Sequence, residues 1–238
     1  MSNYNYYGEG RTMDFPGAFS TLMRNVYTWM AAGLGMTALT AMIMAQNAEL
    51  MYTIATTPML MWGMLIAEVV MVIYLSARIM KMSFVTAGIV FALYAILNGA
   101  TMSFIFMIYT MESIATTFFI TAGTFACMSL VGYTVKKDLS AMGRVLLMML
   151  IGIIIATLVN IFVASSGLAM ILNYAGVLVF VGLTAYDTQK IKQMMQAYSD
   201  AGINDQTNKL ALMGSLSLYL DFVNLFLYLL RLFGSRRD

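Results

Sequence analysis

Residues 144–164, which read RVLLMMLIGIIIATLVNIFVA, decide the fold class of this chain. After the arginine, the run carries no charge, and its only polar side chains are Thr157 and Asn160. An apolar run of about 20 residues is long enough to cross the hydrocarbon core of a bilayer as an α-helix. A membrane β-strand would need only about ten residues, with alternating polarity. The run therefore predicts a membrane-spanning helix.

Six further runs of this kind occur, and the gaps between them are short. The chain of 238 residues is 61% hydrophobic and 10% charged, whereas soluble domains hold about 25% charged residues. We therefore expect an all-α membrane protein that forms one domain over residues 1–238, with residues 1–22 as a short cytoplasmic tail. The longest gap, 190–209, is expected to begin as a helical extension of the sixth span. The seven predicted spans are 26–45, 58–78, 84–109, 113–135, 144–164, 168–189 and 210–233.

Basic residues occupy alternate gaps, which predicts the orientation of the chain. They lie before the first span and after the second, fourth and sixth spans, and none lies after the first, third or fifth. Because lysine and arginine mark cytoplasmic loops, the N-terminus is expected in the cytoplasm. Seven full spans would then place Arg231, Arg236 and Arg237 outside. A re-entrant last segment would instead put all 13 basic residues inside, but residues 210–233 are long enough to cross, so we favour seven spans.

The composition excludes several chemistries. With no histidine and a single cysteine, Cys127, the chain has no intrachain disulfide, no Cys/His zinc site and no histidine general base. A formal charge of +2 does not suggest nucleic acid. We expect no enzymatic activity and no cofactor. An intramembrane enzyme that uses paired aspartates stays a weak alternative, because acidic pairs can perform acid–base chemistry.

Four ionisable residues within or at the ends of predicted spans stand out as candidates: Glu68, Arg78, Asp187 and Asp221. A charge at the bilayer centre costs about 2.5 kcal/mol or more, so each is a candidate functional residue. Asp221 lies near the middle of the last span. It belongs to a stripe whose members, spaced 4, 3, 4 and 3 residues apart, share one helix face. The other members of the stripe are Ser217, Asn224, Tyr228 and Arg231.

Asp187 and Asp221 are expected in the same half of the membrane, since the sixth span ends where the seventh begins. Two carboxylates in a low-dielectric site cannot both ionise at low cost, so the pair would share a proton. Arg78 is the available counter-charge, or else it extends to the lipid headgroups. Asp187 could also be an interfacial helix-end acid, and Asp221 a structural one. Glu68 has no visible partner on its own helix, and its role stays open.

Three segments resemble signatures of the Bax-inhibitor family, the transmembrane Bax inhibitor motif proteins. Residues 217–234, SLYLDFVNLFLYLLRLFG, resemble the signature of that family's last helix. Residues 186–191, YDTQKI, are similar to the signature that precedes it. Residues 136–140, KKDLS, match a common pattern in the fourth gap. Span number and order agree over the whole chain, and the short loops are typical of a bacterial member in the inner membrane.

The resemblance implies a seven-helix fold in which a central last helix is wrapped by the other six. It also implies a pH-sensitive Ca²⁺ leak, gated by a di-aspartyl pair with an arginine from the second helix. The aspartates correspond to Asp187 and Asp221, which would also be the Ca²⁺ ligands. The arginine corresponds to Arg78, one residue out of register, and Glu68 resembles the acid of the second helix.

We therefore expect a passive, proton-regulated Ca²⁺ leak of a bacterial membrane. A shared proton would hold the aspartates together, and ionisation of both would favour their separation. Glu68, Ser217, Asn224, Tyr228 and Arg231 are candidates to line or support the path. The alternative is a non-transporting regulator that binds a membrane protease or another membrane protein. Its function would survive Asp221→Asn.

Overall fold

The computed structural model describes residues 15–237, with side chains from residue 17 onward. This part of the chain is helical apart from short connections, and its only β pairing is an isolated bridge between Tyr109 and Arg236. One 3-10 turn follows the third helix and another follows the eighth. The helices are α1 (Phe15–Ala45), α2 (Ala48–Thr56), α3 (Pro58–Arg78), α4 (Phe84–Met102), α5 (Ile105–Ile108), α6 (Met111–Thr134), α7 (Ser140–Val163), α8 (Ser166–Tyr198) and α9 (Asp205–Phe233).

The seven predicted spans are confirmed within the described residues. The helices long and apolar enough to cross a membrane cover Gly17–Ala45, Pro58–Lys81, Phe84–Ile108, Met111–Thr134, Ser140–Val163, Ser166–Ala201 and Asp205–Phe233. The all-α fold class is confirmed with them. Helix α8, which forms the sixth span, runs nine residues beyond its predicted end at Gln189, so the expected helical extension is also present.

The first connection and the N-terminal segment differ from the expectation. α1 begins at Phe15, so residues 15–22, assigned to the tail, are helical, while residues 1–14 lie outside the described residues. Leu22 is fully buried in the core. The short helix α2, absent from the prediction, fills the gap between the first two spans. Asn47 begins it by accepting a hydrogen bond from the Leu50 backbone nitrogen at 3.0 Å, as N-terminal caps do.

Helix α9 is the most buried span of the described chain. In the most apolar segment of α9, 72% of the residues are buried, whereas the corresponding share in α3 and in α7 is 6%. α9 packs against α1, α4, α6 and α8, while α3 packs chiefly on α4 and α7 on α8. The expected arrangement, with the last helix wrapped by all six others, is therefore not confirmed.

Contacts at its two ends show that α9 crosses the whole bundle. At its start, Lys209 Nζ donates to the Met82 carbonyl at 3.2 Å, between α3 and α4. At its end, the Thr110 backbone nitrogen donates to the Ser235 carbonyl at 3.1 Å, between α5 and α6. We call the side where α1 and α9 begin the N-terminal face, and the side where α9 ends the C-terminal face. The last helix is therefore not re-entrant.

Candidate functional site

The predicted acidic pair lies at the interface between α8 and α9. Asp221 is 4% exposed, and its Oδ2 is buried with no hydrogen-bond partner among the described residues. Asp187 is half-buried on the neighbouring helix, near enough for its charge to act on Asp221. A buried polar atom without a partner is rare in folded proteins and calls for an explanation. The pair is therefore the first candidate for function.

Small residues bring the two helices close enough to place these acids together. A Cβ on Gly176 of α8 would lie 2.5 Å from the Tyr228 ring of α9. A Cβ on Gly214 of α9 would lie 3.1 Å from Ile191 of α8. Close approach at small residues is the usual basis of helix packing in membranes, where the lipid offers no hydrophobic drive for association.

A cleft of about 210 Å³ opens beside the pair on the N-terminal face. Asp187 lines it from α8 and Ser217 lines it from α9, with Ser76 of α3 opposite. Asp221 is one helical turn deeper than Ser217 and does not line the cleft. Water that enters the cleft would therefore reach Asp187 first, and Asp221 only through it.

Lys190, which the sequence analysis did not assign to the site, is the positive charge that acts on Asp187. It follows Asp187 by three residues on α8, so both occupy the same side of the helix, and it lines the same cleft. The predicted counter-charge, Arg78, is exposed at the end of α3. Within residues 15–237 the one ion pair within 4 Å joins Lys209 to Asp205, so Arg78 pairs with neither aspartate in this conformation.

The polar stripe of α9 connects this cleft to a second one on the C-terminal face. Tyr228 and Arg231 line the second cleft, whose volume is about 350 Å³. The Arg231 guanidinium lies 5.4 Å from the centre of the Tyr228 ring. Asn224, between the clefts, donates from Nδ2 to the Leu220 carbonyl at 2.8 Å and is half-buried.

An apolar cluster closes the space between the two clefts. It is built by α7, α8 and α9, and its buried members are Ile153, Val179, Phe180, Leu183, Leu225 and Leu229. The ring of Phe180 stacks on Tyr228 at 5.8 Å between centroids. In the described conformation this apolar barrier separates the two clefts, and Asp221 lies between the barrier and the first cleft.

Glu68 lies apart from the acidic pair. Its carboxylate accepts a hydrogen bond from the Thr101 hydroxyl of α4. The Tyr219 hydroxyl is 2.7 Å from that of Thr37, which donates to the Ala95 carbonyl at 2.9 Å. The Asn98 Oδ1 is buried nearby on α4 without a partner. These groups form a second polar layer, between α9 and the helices α1, α3 and α4.

No group of three or more acidic, histidine or cysteine side chains that could hold a metal ion occurs within residues 15–237. Hydrated Ca²⁺ would thus meet two carboxylates at most, with hydroxyl, carbonyl and water oxygens as further ligands. Tight calcium sites use six to eight oxygen ligands. Asp187 and Asp221 have four carboxylate oxygens between them, which is fewer than such a site needs.

Gln189 joins two of the sequence signatures that were recognised separately. Its Oε1 accepts from the Leu139 backbone nitrogen at 2.8 Å, and its Nε2 donates to the Lys137 carbonyl at 2.9 Å. The loop between α6 and α7 is thereby fixed to α8 two residues after Asp187. No sequence pattern predicted this contact, because a glutamine near a helix end is usually an ordinary surface residue.

Comparison with known proteins agrees with this architecture. The model of a protein family described as inhibitor of apoptosis-promoting Bax1 matches residues 20–238. An inner membrane protein of Escherichia coli, YbhL, is 49% identical over 217 residues, which cover 91% of this chain and 92% of that protein. A protein of Borreliella burgdorferi is 45% identical over 91% of this chain and 92% of its own length. A membrane protein of Streptococcus pyogenes is 34% identical over 88% and 90% of the two chains.

Proposed function

We propose that this chain, which belongs to the Bax-inhibitor family, is a passive Ca²⁺ leak of a bacterial inner membrane. The gate of this leak is the Asp187–Asp221 pair. The observation that carries the proposal is the buried, unpartnered Oδ2 of Asp221 beside a second carboxylate. Intramembrane acids are costly and mark ion or proton paths.

The gate follows from the electrostatics of the pair. Two carboxylates at this depth share one proton at lower cost than they ionise together. With one proton on the pair, the two acids carry a single negative charge and α8 and α9 stay packed. Loss of that proton introduces a repulsion at their interface. The bistable element is the position of the C-terminal end of α3 relative to α8 and α9, since Ser76 of α3 borders the cleft that these two helices line.

The positions of the basic groups fit this role. Lys190 lies beside Asp187 in the closed conformation, and Arg78 lies two residues from Ser76, at the same end of α3. If the pair separates, Arg78 is the cation that an inward movement of α3 would bring to it. Glu68, Asn224, Tyr228 and Arg231 would then support the path between the two clefts.

The proposed path binds Ca²⁺ weakly, because conduction requires a site that an ion can leave as well as enter. Two carboxylates with Ser217 and water offer Ca²⁺ the oxygen ligands that it prefers, without the third acid of a tight site. Passive flux down a gradient needs no further energy source from the chain.

Ca²⁺ flux into liposomes that hold the purified protein tests the proposal, from pH 5 to pH 8. We expect a saturating flux that changes with pH in the wild type and is independent of pH in Asp221→Asn. Asp200→Asn, at an exposed acid outside the site, is the matched control and should keep the wild-type profile. A flux no greater than that of protein-free liposomes at every pH contradicts the leak and favours a regulator of a membrane protease or another membrane protein.

The orientation is part of the same proposal. Lysines cluster at the N-terminal face: they follow α3 and α6, and they lie in the last part of α8 and the first turns of α9. This pattern favours a cytoplasmic position for that face. A reporter active only in the periplasm, fused after Asp238, should then be active. A silent periplasmic reporter together with an active cytoplasmic one at the same position would reverse the assignment.

A further inference from the structure

A third cleft, distant from the acidic pair, lies between α1, α5, α6 and α9 towards the C-terminal face. Its volume is about 260 Å³. Fifteen of its 16 lining residues are apolar, among them Leu34, Ala38, Ala115, Phe118 and Phe226. An engineered dry apolar cavity of about 150 Å³ already holds a benzene molecule. The cleft is therefore large enough for a segment of hydrocarbon.

The single polar lining residue, Thr37, offers nothing to a polar ligand. Its hydroxyl already donates to the Ala95 carbonyl at 2.9 Å and contacts the Tyr219 hydroxyl at 2.7 Å. Phe118 and Phe119 at the mouth of the cleft are 39% and 73% exposed. Because they lie on a helix that spans the bilayer, the mouth opens to the lipid.

A pocket of about 220 Å³, with two polar residues among its seven lining residues, continues this cleft at the C-terminal face. The two cavities share Met42, Phe106 and Met111 as lining residues. Gln46 and Arg237 provide the polar wall of the outer one. The Arg237 backbone nitrogen donates to the Ile108 carbonyl at 2.9 Å, which fixes the terminal segment beside the pocket.

We propose that the two cavities together bind one anionic phospholipid, with an acyl chain between Ala38 and Ala115 and the phosphate on Arg237. The occupant follows from the sequence of environments along the cleft, which is hydrocarbon-like at membrane depth and cationic at the membrane edge. An arginine guanidinium binds phosphate through two parallel hydrogen bonds. This site gives a physical reason for basic residues at the face that the charge pattern assigns to the outside.

Native mass spectrometry of the purified protein with phosphatidylglycerol and phosphatidylcholine of identical acyl chains tests the site. We expect one tightly retained phosphatidylglycerol, bound about tenfold more tightly than phosphatidylcholine. Arg237→Gln should remove this preference and leave the binding of phosphatidylcholine unchanged. Arg236→Gln, at an arginine that lines a different cavity, is the control and should keep the preference.

The acyl-chain end of the site is tested with substitutions that fill the cleft. Ala115→Phe from α6 and Ala38→Phe from α1 should each weaken the retention of both lipids by about tenfold. Ala126→Phe, at an exposed position of α6 outside the cleft, should bind as the wild type does. Wild-type retention in both filled variants overturns the proposal. So does a dimer that dissociates in them without any bound lipid, because the occupant would then be a second copy of the chain.

Discussion

The two opposite faces of α9 hold buried polar groups in different states. Tyr219 and Asp221 are two residues apart, and both lie at the bundle interior with 0% and 4% exposure. The Tyr219 hydroxyl is paired with Thr37, which is itself paired with the α4 backbone. The Asp221 Oδ2 has no partner. The hydrogen-bonded Tyr219 stabilises the bundle. Asp221, on the opposite face of α9, keeps a buried polar atom without a partner, which is energetically unfavourable and is often found at functional sites.

The largest expected effect separates these faces by their contribution to stability. Tyr219→Ala should lower the free energy of unfolding by about 3 kcal/mol, because it leaves a cavity between α1, α4 and α9. Asp221→Leu should leave it unchanged or raise it by up to about 2 kcal/mol, since an unpartnered buried acid is removed. Equilibrium unfolding in mixed detergent micelles measures both. A loss in Asp221→Leu as large as that in Tyr219→Ala would make Asp221 a structural residue.

The next effect concerns how α8 is held next to Asp187. A Cβ on Gly132 of α6 would clash with the Ala185 backbone of α8, whereas one on Gly123 of the same helix meets nothing within 4 Å. Gly132→Ala should therefore cost about 2 kcal/mol of unfolding free energy through overpacking. Gly123→Ala should be neutral or stabilising, because alanine is the better helix former. Equal effects in the same unfolding assay would show that α6 and α8 are less closely packed at this point.

A smaller effect tests whether the Tyr219 face is a hydrogen-bonded layer. Thr37→Val should cost about 1 kcal/mol, because it leaves the Tyr219 hydroxyl buried without its partner. Tyr219→Phe should cost less, since Thr37 keeps its bond to the Ala95 carbonyl. The double variant should be no worse than Thr37→Val alone. Strictly additive losses would mean that the two hydroxyls do not interact.

The smallest effect lies outside the membrane, in the loop that Gln189 holds. Two hydrogen bonds from Ser140, through its side chain and its backbone, lower the pKa of Asp138. A carboxyl with a lowered pKa stabilises the folded state above its ordinary pKa of about 4 and loses this contribution as the pH falls through the folded value. Asp138→Asn should therefore reduce the slight loss of stability that begins as the pH falls below about 4. An identical pH dependence of stability in Asp138→Asn and the wild type would show that the two hydrogen bonds from Ser140 do not stabilise the folded state.

The seven-span fold was predictable from local composition, but helix α2 and the start of α1 were not predicted. Seven apolar runs specify seven spans, because length and hydropathy decide which segments cross a bilayer. Helix α2 was missed, since a nine-residue helix between two spans has no membrane-length signal. The start of α1 at Phe15 was missed because its first turns are polar and aromatic, although Leu22 within them is fully buried.

The acids of the candidate site were identified from the sequence, but their surroundings were not. Asp187 and Asp221 were identified because ionisable residues are rare in spans, and the described structure brings them together. Lys190 and Gln189 belong to a recognised signature, but their contacts depend on how α8 packs beside the loop after α6. Arg78 as the counter-charge stays a prediction, because it is exposed and pairs with neither acid in the described conformation.

The sequence by itself determined the number of spans, the polar stripe of α9 and the alternation of basic gaps, because each depends on residues close together in the chain. Only the tertiary structure decided that Tyr219 is satisfied while Asp221 is not, and that the stripe connects two clefts separated by an apolar barrier. The end-to-end crossing of α9 also came from contacts at its two ends. All seven helices are apolar enough to lie in a bilayer, so the faces that meet are chosen by small residues and by hydrogen bonds between helices distant in sequence.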